Sequence, residues 1–488
     1  MTSRTGTVSK DTVIIKRLHA DHGQQGFKNF LPLNPEMVKE VERTVGDMFD
    51  AMGGPSLLKS SRDVYLKPNV VGTSAYVYTR PEVVGAVIRY WQRAGAQTVY
   101  VLENCTQANC TRLVFETTGY NALCKRTGAI PVYLDEDEEV ECEFGGKQSV
   151  AVEERGYELK RFAMPRFVHD RLMRDRDANL YVDMPKLKTH SMSIVTLGIK
   201  NQWGFPVHRH RSPDHNFNLH HKLVDVLALV RPDVTLIEGV EGTIYGHYPA
   251  QANLDRCVRP FRVLIGGLNV VAVDIVGARV FGKRIEDVPH LKIALERGLG
   301  DGVHGDDDIT ITGDCTAWNE LDLLDEWSAY GGQYPDDLIP EYPPDVRIIK
   351  GTELACREGC VNNSFSVLQG LYFDQGGRGG WTMVVGKGFD DDVVASIDGR
   401  VLLVGPCAVE EIGQKLVTRL GRGNVYMSRE CNDLAALVES MCHLMKVSPL
   451  RIGPPANPLK ALVAVVQSRL NGSSARMTNV FANYFKLR

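Results

Sequence analysis

Between Met184 and Phe205 the chain reads MPKLKTHSMSIVTLGIKNQWGF, a mostly apolar segment that carries Lys186, Lys188, His190 and Lys200. Apolar segments are buried, and a buried ammonium is costly unless an anion or a hydrogen-bond acceptor meets it. A desolvated lysine also gives up its proton more readily, so it can act as a base or nucleophile. The stretch VHRHRSPDHNFNLHHK follows and adds His208, Arg209, His210, Arg211, His215, His220, His221 and Lys222. From Lys186 to Lys222 there are six Lys/Arg and six His against one acidic residue, Asp214. Such a patch in a chain of net charge -4 points to a small anionic ligand bearing carboxylate or phosphate.

Thiols form the second group. ACREGC carries Cys356 and Cys360, VGPCAVEEI carries Cys407, and MSRECNDL carries Cys431. Each follows a β-like run and precedes a helical one, so three βα loops bring four cysteines to one sheet edge. Thiolates at helix N-termini are stabilised by the dipole and by backbone N–H groups, which suits metal ligation. A [4Fe–4S] cluster takes four such ligands, or three if one iron stays open. The C-x3-C spacing differs from the paired C-x2-C knuckles of a zinc ribbon. Cys442 falls among apolar helical neighbours and reads as core, while Cys105 and Cys110 show no ligand spacing. The glycine-rich DQGGRGG precedes a strand and not a helix, so no nucleotide cofactor is assigned.

Alternating strands and helices must position these groups. DVYLKPNVV, QTVYVLEN and PVYL read as strands, with helices over Pro81–Ala96 and near Arg112–Arg126. NLYVDMP and VTLIEGVEG continue the rhythm. Strands spaced by helices imply mostly parallel sheets, whose ligands sit at the carboxyl ends of the strands. Lys67 and Asn69, Glu103 and Asn104, Lys186 to His190, and Glu238 with Glu241 all fall at such exits. If the segment after NLYVDMP stays extended, residues 186, 188 and 190 share one face. On this reading Lys188, His190, Lys200 and Glu103 carry the chemistry, while Lys67, Asn69, Lys186, Asn201, His208 and His210 bind substrate.

The expected fold is α/β, with two α/β units and a helical tail. The first spans 1–315 with an antiparallel insertion near 139–170, and 316–344 is an acidic linker. The cysteine-bearing unit covers 345–450 and the tail 451–488. The chain of 488 residues is too long for one core. With 43% hydrophobic and 24% charged residues it has an ordinary globular composition. Its mild negative charge argues against nucleic acid, and no apolar run suits a bilayer span or a signal peptide. Eleven cysteines without a secretion signal fit reduced thiols and a cytoplasmic setting, with no membrane partner. An electron-transfer partner and a homo-oligomeric assembly are compatible with this picture.

KPN at 67–69, TRPEVV at 79–84, GA at 95–96, PKLKTH at 185–190, GIKNQWG at 198–204 and VAVD at 271–274 together resemble the domain-of-unknown-function 362 family. That resemblance covers roughly residues 60 to 300 and implies a redox or iron–sulfur setting without a defined reaction. A lesser likeness is to the nickel-dependent lactate racemase family, in which Lys188 and His190 would attend the cofactor. Where that family has a histidine-containing turn after the third strand, this chain has ENCTQANC. The function expected is an iron–sulfur enzyme acting on a small anionic metabolite, by redox or Lewis-acid chemistry. A non-catalytic electron carrier or metal-binding protein and a cofactor-dependent racemase are the alternatives.

Overall fold

Apolar residues at alternate positions of the strands divide between two cores, one on each face of a large sheet. In β1 (Thr12–Arg17) and β2 (Asp63–Pro68), Val13, Ile15 and Tyr65 join one core, while Ile14, Val64 and Leu66 join the other. The computed structural model describes residues 8–20, 23, 26–106, 108–143, 161–212, 215–216, 218–322, 343, 345–431, 433–448, 451–452 and 457–478. The chain continues through β3 (Thr98–Glu103), β4 (Ile130–Tyr133), β5 (Glu139–Glu143), β6 (Arg161–Pro165), β7 (Leu180–Met184), β8 (Thr189–His190) and β9 (Ile194–Val195). Next come β10 (Val234–Gly239), β11 (Gly242–Thr243), β12 (Val258–Arg259), β13 (Val263–Gly267) and β14 (Thr310–Gly313). The large sheet has the order β14-β1-β13-β10-β7-β2-β3-β4.

Only β13 opposes the others in that sheet, pairing antiparallel with both β1 and β10. Every residue of β7 and β10 is buried, as expected of central strands covered on both faces. Helices Pro35–Met52 and Pro81–Arg93 cover one face, and Leu219–Leu229, Val270–Arg279 and Pro289–Glu296 cover the other. β5 and β6 form the antiparallel pair anticipated near 139–170. The single helix expected near Arg112–Arg126 is two, Thr111–Thr118 and Tyr120–Thr127, because Gly119 takes a left-handed φ of 85° between them.

The second sheet is wholly parallel, in the order of β15 (Val346–Lys350), β16 (Trp381–Val385), β17 (Val401–Val404) and β18 (Val425–Ser428). Helices Asn362–Gln369 and Leu434–Leu444 pack on one face, and Gly405–Leu420 packs on the other. Most of the linker expected at 316–344 lies outside the described residues, and its start forms a short helix, Trp318–Asp322. In the tail, helix Pro458–Leu470 packs back on Thr111–Thr118, and 479–488 lie outside the described residues. Arg476 then touches both units: its carbonyl accepts from Ala108 N–H at 2.9 Å, and its guanidinium meets Asp433 at 2.6 Å. Among the described residues no helix is long and apolar enough to cross a membrane.

Candidate active site

The exits of β2, β3 and β7 converge on one buried polar network. Lys67 Nζ donates to Glu103 Oε1 at 2.9 Å, with both side chains shielded from solvent. Glu103 Oε2 accepts the Val70 N–H at 2.8 Å, and Oε1 also takes that of Asn104 at 2.9 Å. A Cβ at Gly204 would lie 2.7 Å from Glu103 Oε1 and 2.9 Å from Lys67 Nζ. Glycine there lets the short Gln202–Gly204 turn close over the ion pair. Asn201 joins the strand ends. Its amide donates to Asp183 at 2.7 Å, and its oxygen accepts from Asn69 at 3.0 Å.

The family-like sequence pieces meet in this network. Thr79 Oγ1 accepts from Asn69 N–H at 3.0 Å and donates to Met184 O at 2.7 Å. Asp274 accepts the Gly198 and Ile199 N–H groups, each at 2.7 Å, so it caps the turn that presents Lys200 and Asn201. Burial pushes the Asp274 carboxyl up to about 7.

The three lysines have different surroundings. Lys186 bonds Glu238 Oε2 at 2.7 Å, and neighbouring Arg80 holds Glu241 with two bonds of 2.7 and 2.6 Å. This is a buried ion-pair network whose members do not line the cavity that Lys200 reaches. Lys188 donates to Asn69 Oδ1 at 2.9 Å and to the Val77 carbonyl. Burial, with Lys200 and Lys186 nearby, holds its amine well below the ordinary lysine range. Lys186 and Lys188 therefore answer to different partners. The chain stays paired beyond β7, since Lys186 bridges in parallel to Glu238 of β10 and Thr189–His190 forms β8.

Lys200 is the lysine that reaches open space. It lines a cavity of about 60 Å³ together with Arg211, His190, His215, Trp203 and Asn104. Among the described residues it has no hydrogen-bond or ion-pair partner. Burial, then the positive charges of Arg211 and Lys67, pull its amine down to about 7. Arg211 is buried too, and its terminal nitrogens donate to the carbonyls of Asn104 and Cys105 at 3.2 and 3.1 Å. Arg211 Nε, Trp203 Nε1 and Asn104 Oδ1 are buried without partners. Orphaned polar atoms of this kind each cost about 1–3 kcal/mol, a cost that a bound polar molecule removes.

Two histidines complete the wall with opposite polarity. His190 Nδ1 accepts the N–H groups of Met192 and Ser193 at 3.1 and 3.3 Å, which places its proton on Nε2. His215 Nδ1 pairs with Asn216 Oδ1 at 3.0 Å, which assigns its Nε2 as an acceptor. Burial, then the nearby His247 and Lys200 for His190 and Lys200 for His215, keeps both neutral, with His215 pulled down to about 3. His247, from the loop after β11, stacks on His190 with ring centroids 3.8 Å apart. Of the residues assigned to substrate, Lys67, Asn69 and Asn201 line the cavity, while Lys186, His208 and His210 do not. His208 packs against Arg211, and His210 Nδ1 accepts from Ala163 N–H at 2.7 Å.

The cysteine unit borders the same cavity. Leu434, three residues after Cys431, is part of its wall, and Asn216 Nδ2 donates to the Cys431 carbonyl at 3.2 Å. Cys356 precedes a wide π-type turn, Arg357–Val361, and Cys407 sits in the first turn of Gly405–Leu420. Cys431 lies between β18 and helix Leu434–Leu444. None of the four is in a disulfide among the described residues, and each is partly exposed. Burial pushes the Cys360 thiol well up, and the charges of Cys431, Cys356 and Cys407 push the same way. A Cβ at Gly405, where φ is +85°, would come within 2.5 Å of Cys360 Sγ, so the glycine keeps space beside that sulfur. Among the described residues no three His, Cys, Asp or Glu side chains are already drawn together as a metal site. The donor set, four soft thiols from three βα loops, fits an iron–sulfur cluster in number and chemistry.

Comparison with known sequences adds one assignment. Residues 64–279 match the family described as domain of unknown function (DUF362). The first α/β unit belongs to this family. No curated protein and no solved structure matches the chain, and nothing found supports the likeness to the lactate racemases. The DUF362 match runs from β2 to the end of helix Val270–Arg279 and so includes Lys67, Glu103, Lys200, Arg211 and Asp274. It excludes all four cysteines of the second unit.

Proposed function

We propose that this protein is an iron–sulfur enzyme acting on a small anionic metabolite, bound between the DUF362 unit and the cysteine-bearing unit. The observation that carries the reading is the cavity wall. Lys200 and Arg211 bring positive charge to it without a carboxylate partner among the described residues, beside the orphaned Trp203 and Asn104 groups. A carboxylate or phosphate satisfies this set, through Lys200 Nζ, Arg211 Nε and Trp203 Nε1. Its modest volume restricts the ligand to a few non-hydrogen atoms unless the two units part.

The residues divide the work by chemistry. Lys200, with an amine near neutrality, can hold a proton at Nζ or release it to the ligand. His190 donates from Nε2 and His215 accepts at Nε2, so the wall can orient a ligand with both kinds of polar group. Glu103 holds Lys67 in place and is a positioning residue, because both of its oxygens are engaged within the protein. Cys356, Cys360, Cys407 and Cys431 would hold a [4Fe–4S] cluster. When bound, such a cluster supplies one-electron transfer, or a Lewis-acidic iron if one position is open.

Anaerobic reconstitution with iron and sulfide tests the cluster. The wild-type chain should take up iron and acid-labile sulfide in equal amounts and turn brown. Cys407→Ser should lose most of that absorption while keeping its far-ultraviolet circular dichroism. A wild-type chain that binds no iron under these conditions removes the cluster from the proposal.

A further inference from the structure

Helix Pro458–Leu470 carries an apolar face that the other described residues leave uncovered. Leu459, Leu462, Val463, Val466 and Leu470 are 69, 60, 46, 47 and 81% exposed. Only two other large apolar side chains, Leu31 and Ile130, are comparably exposed among the described residues. The spacing i, i+3, i+4, i+7, i+11 places all five on one stripe. The opposite face is the one that packs inward, with Ala461, Ala464 and Val465 against Cys110 and Leu113. Capping and anchoring fix this orientation. Asn457 accepts from Leu459 N–H, and beyond the helix Ser474 N–H donates to Asp135 O at 2.7 Å. The stripe is therefore presented outward by a secured helix.

Charge identifies what covers it. From Ser440 to the C-terminus the sequence holds seven Lys/Arg and no Asp or Glu, whereas the whole chain has 56 against 60. The preceding residues thus hold 49 against 60, a net of -11, and residues 440–488 are +7. On the helix, Lys460, which also pairs with Glu116 at 3.2 Å, and Arg469 flank the apolar stripe on its two sides at 100° per residue. A second copy would bring two like-charged tails together, which disfavours a self-association through this face. An apolar stripe edged by basic side chains suits an anionic lipid surface, into which the leucines insert while the cations stay at the headgroups.

We propose that helix Pro458–Leu470 docks the protein peripherally on an anionic membrane surface. The helix has 13 residues, and it would lie in the interface without spanning it. Because Arg476 ties the tail to both units, docking would hold the side of the molecule that carries the Thr111–Thr118 helix toward the lipid.

Cosedimentation of the full chain with phosphatidylcholine vesicles, with and without phosphatidylglycerol, tests the proposal. Wild type should pellet with the anionic vesicles and be released by salt. Leu462→Glu with Val466→Glu should reduce binding by about tenfold or more at an unchanged melting temperature, since both positions are exposed. Lys460→Gln with Arg469→Gln leaves the apolar stripe intact and should weaken binding to anionic vesicles only. Absence of wild-type binding overturns the proposal, as does equal binding to neutral vesicles. A wild-type dimer that Leu462→Glu with Val466→Glu converts to monomer, without any vesicle binding, would assign the stripe to a second copy.

Discussion

Glu103→Gln should lower the unfolding free energy by about 3–5 kcal/mol, among the largest effects of any single change in the DUF362 unit. The substitution leaves Lys67 buried beside a neutral amide, and it removes one of the two oxygens that receive the Val70 and Asn104 N–H groups. The pair borders the cavity but is only 1 and 2% exposed, so water can take over little of the lost interaction. Adding Lys67→Met should recover part of the loss, because an apolar side chain of similar length asks nothing of its surroundings. Urea denaturation followed by circular dichroism measures both effects as shifts of midpoint at constant slope. A loss under about 1 kcal/mol would show that the pair is hydrated in solution.

Lys200→Gln should have the opposite profile. Stability should change by less than about 1 kcal/mol, since no partner is abandoned and no core cavity opens. Affinity for a small anion should fall by about 30-fold or more, from loss of a largely desolvated charge. The pH dependence follows from an amine pulled down to about 7. The ammonium form binds the anion, so affinity should hold below that pH and decline as pH rises through it. Without a ligand, acylation of Lys200 should increase through the same range, whereas an ordinary lysine needs about pH 10.4. Peptide mass spectrometry of the acylated chain gives the profile directly. Reactivity confined to the ordinary lysine range would place Lys200 in open water.

The chemistry-bearing segments were legible because buried charge is rare in apolar sequence, and because strand exits are where α/β sheets place ligands. The sequence pattern could not apportion the lysines. Lys186 finds Glu238 52 residues later, and Lys188 is met by Asn69 and a carbonyl at Val77, partners that only tertiary structure supplies. Alternation along residues 186–190 could not say which partner each side chain meets, although Lys186 stays bridged to Glu238 beyond β7. Trp203 lay in the segment singled out, but nothing local shows that its indole N–H lacks a partner. His247 and Tyr248 arrive from the loop after β11 and carried no spacing signal. The direction of β13 was equally hidden, since VLIGG reads alike parallel or antiparallel. The tail helix was expected, but its exposed stripe depends on which face the Thr111–Thr118 helix covers.

The central question is whether the cationic cavity and the cysteine loops form one site. The deciding measurement is a titration of the reconstituted full chain with a small dianion such as oxalate, following both heat of binding and the cluster's visible and electron paramagnetic resonance spectra. A single shared site predicts saturable binding that perturbs the cluster spectrum in wild type, and that weakens strongly in Lys200→Gln while the cluster itself stays loaded. Equal affinity in wild type and Lys200→Gln, or saturable binding that leaves the cluster spectrum unchanged, would contradict it.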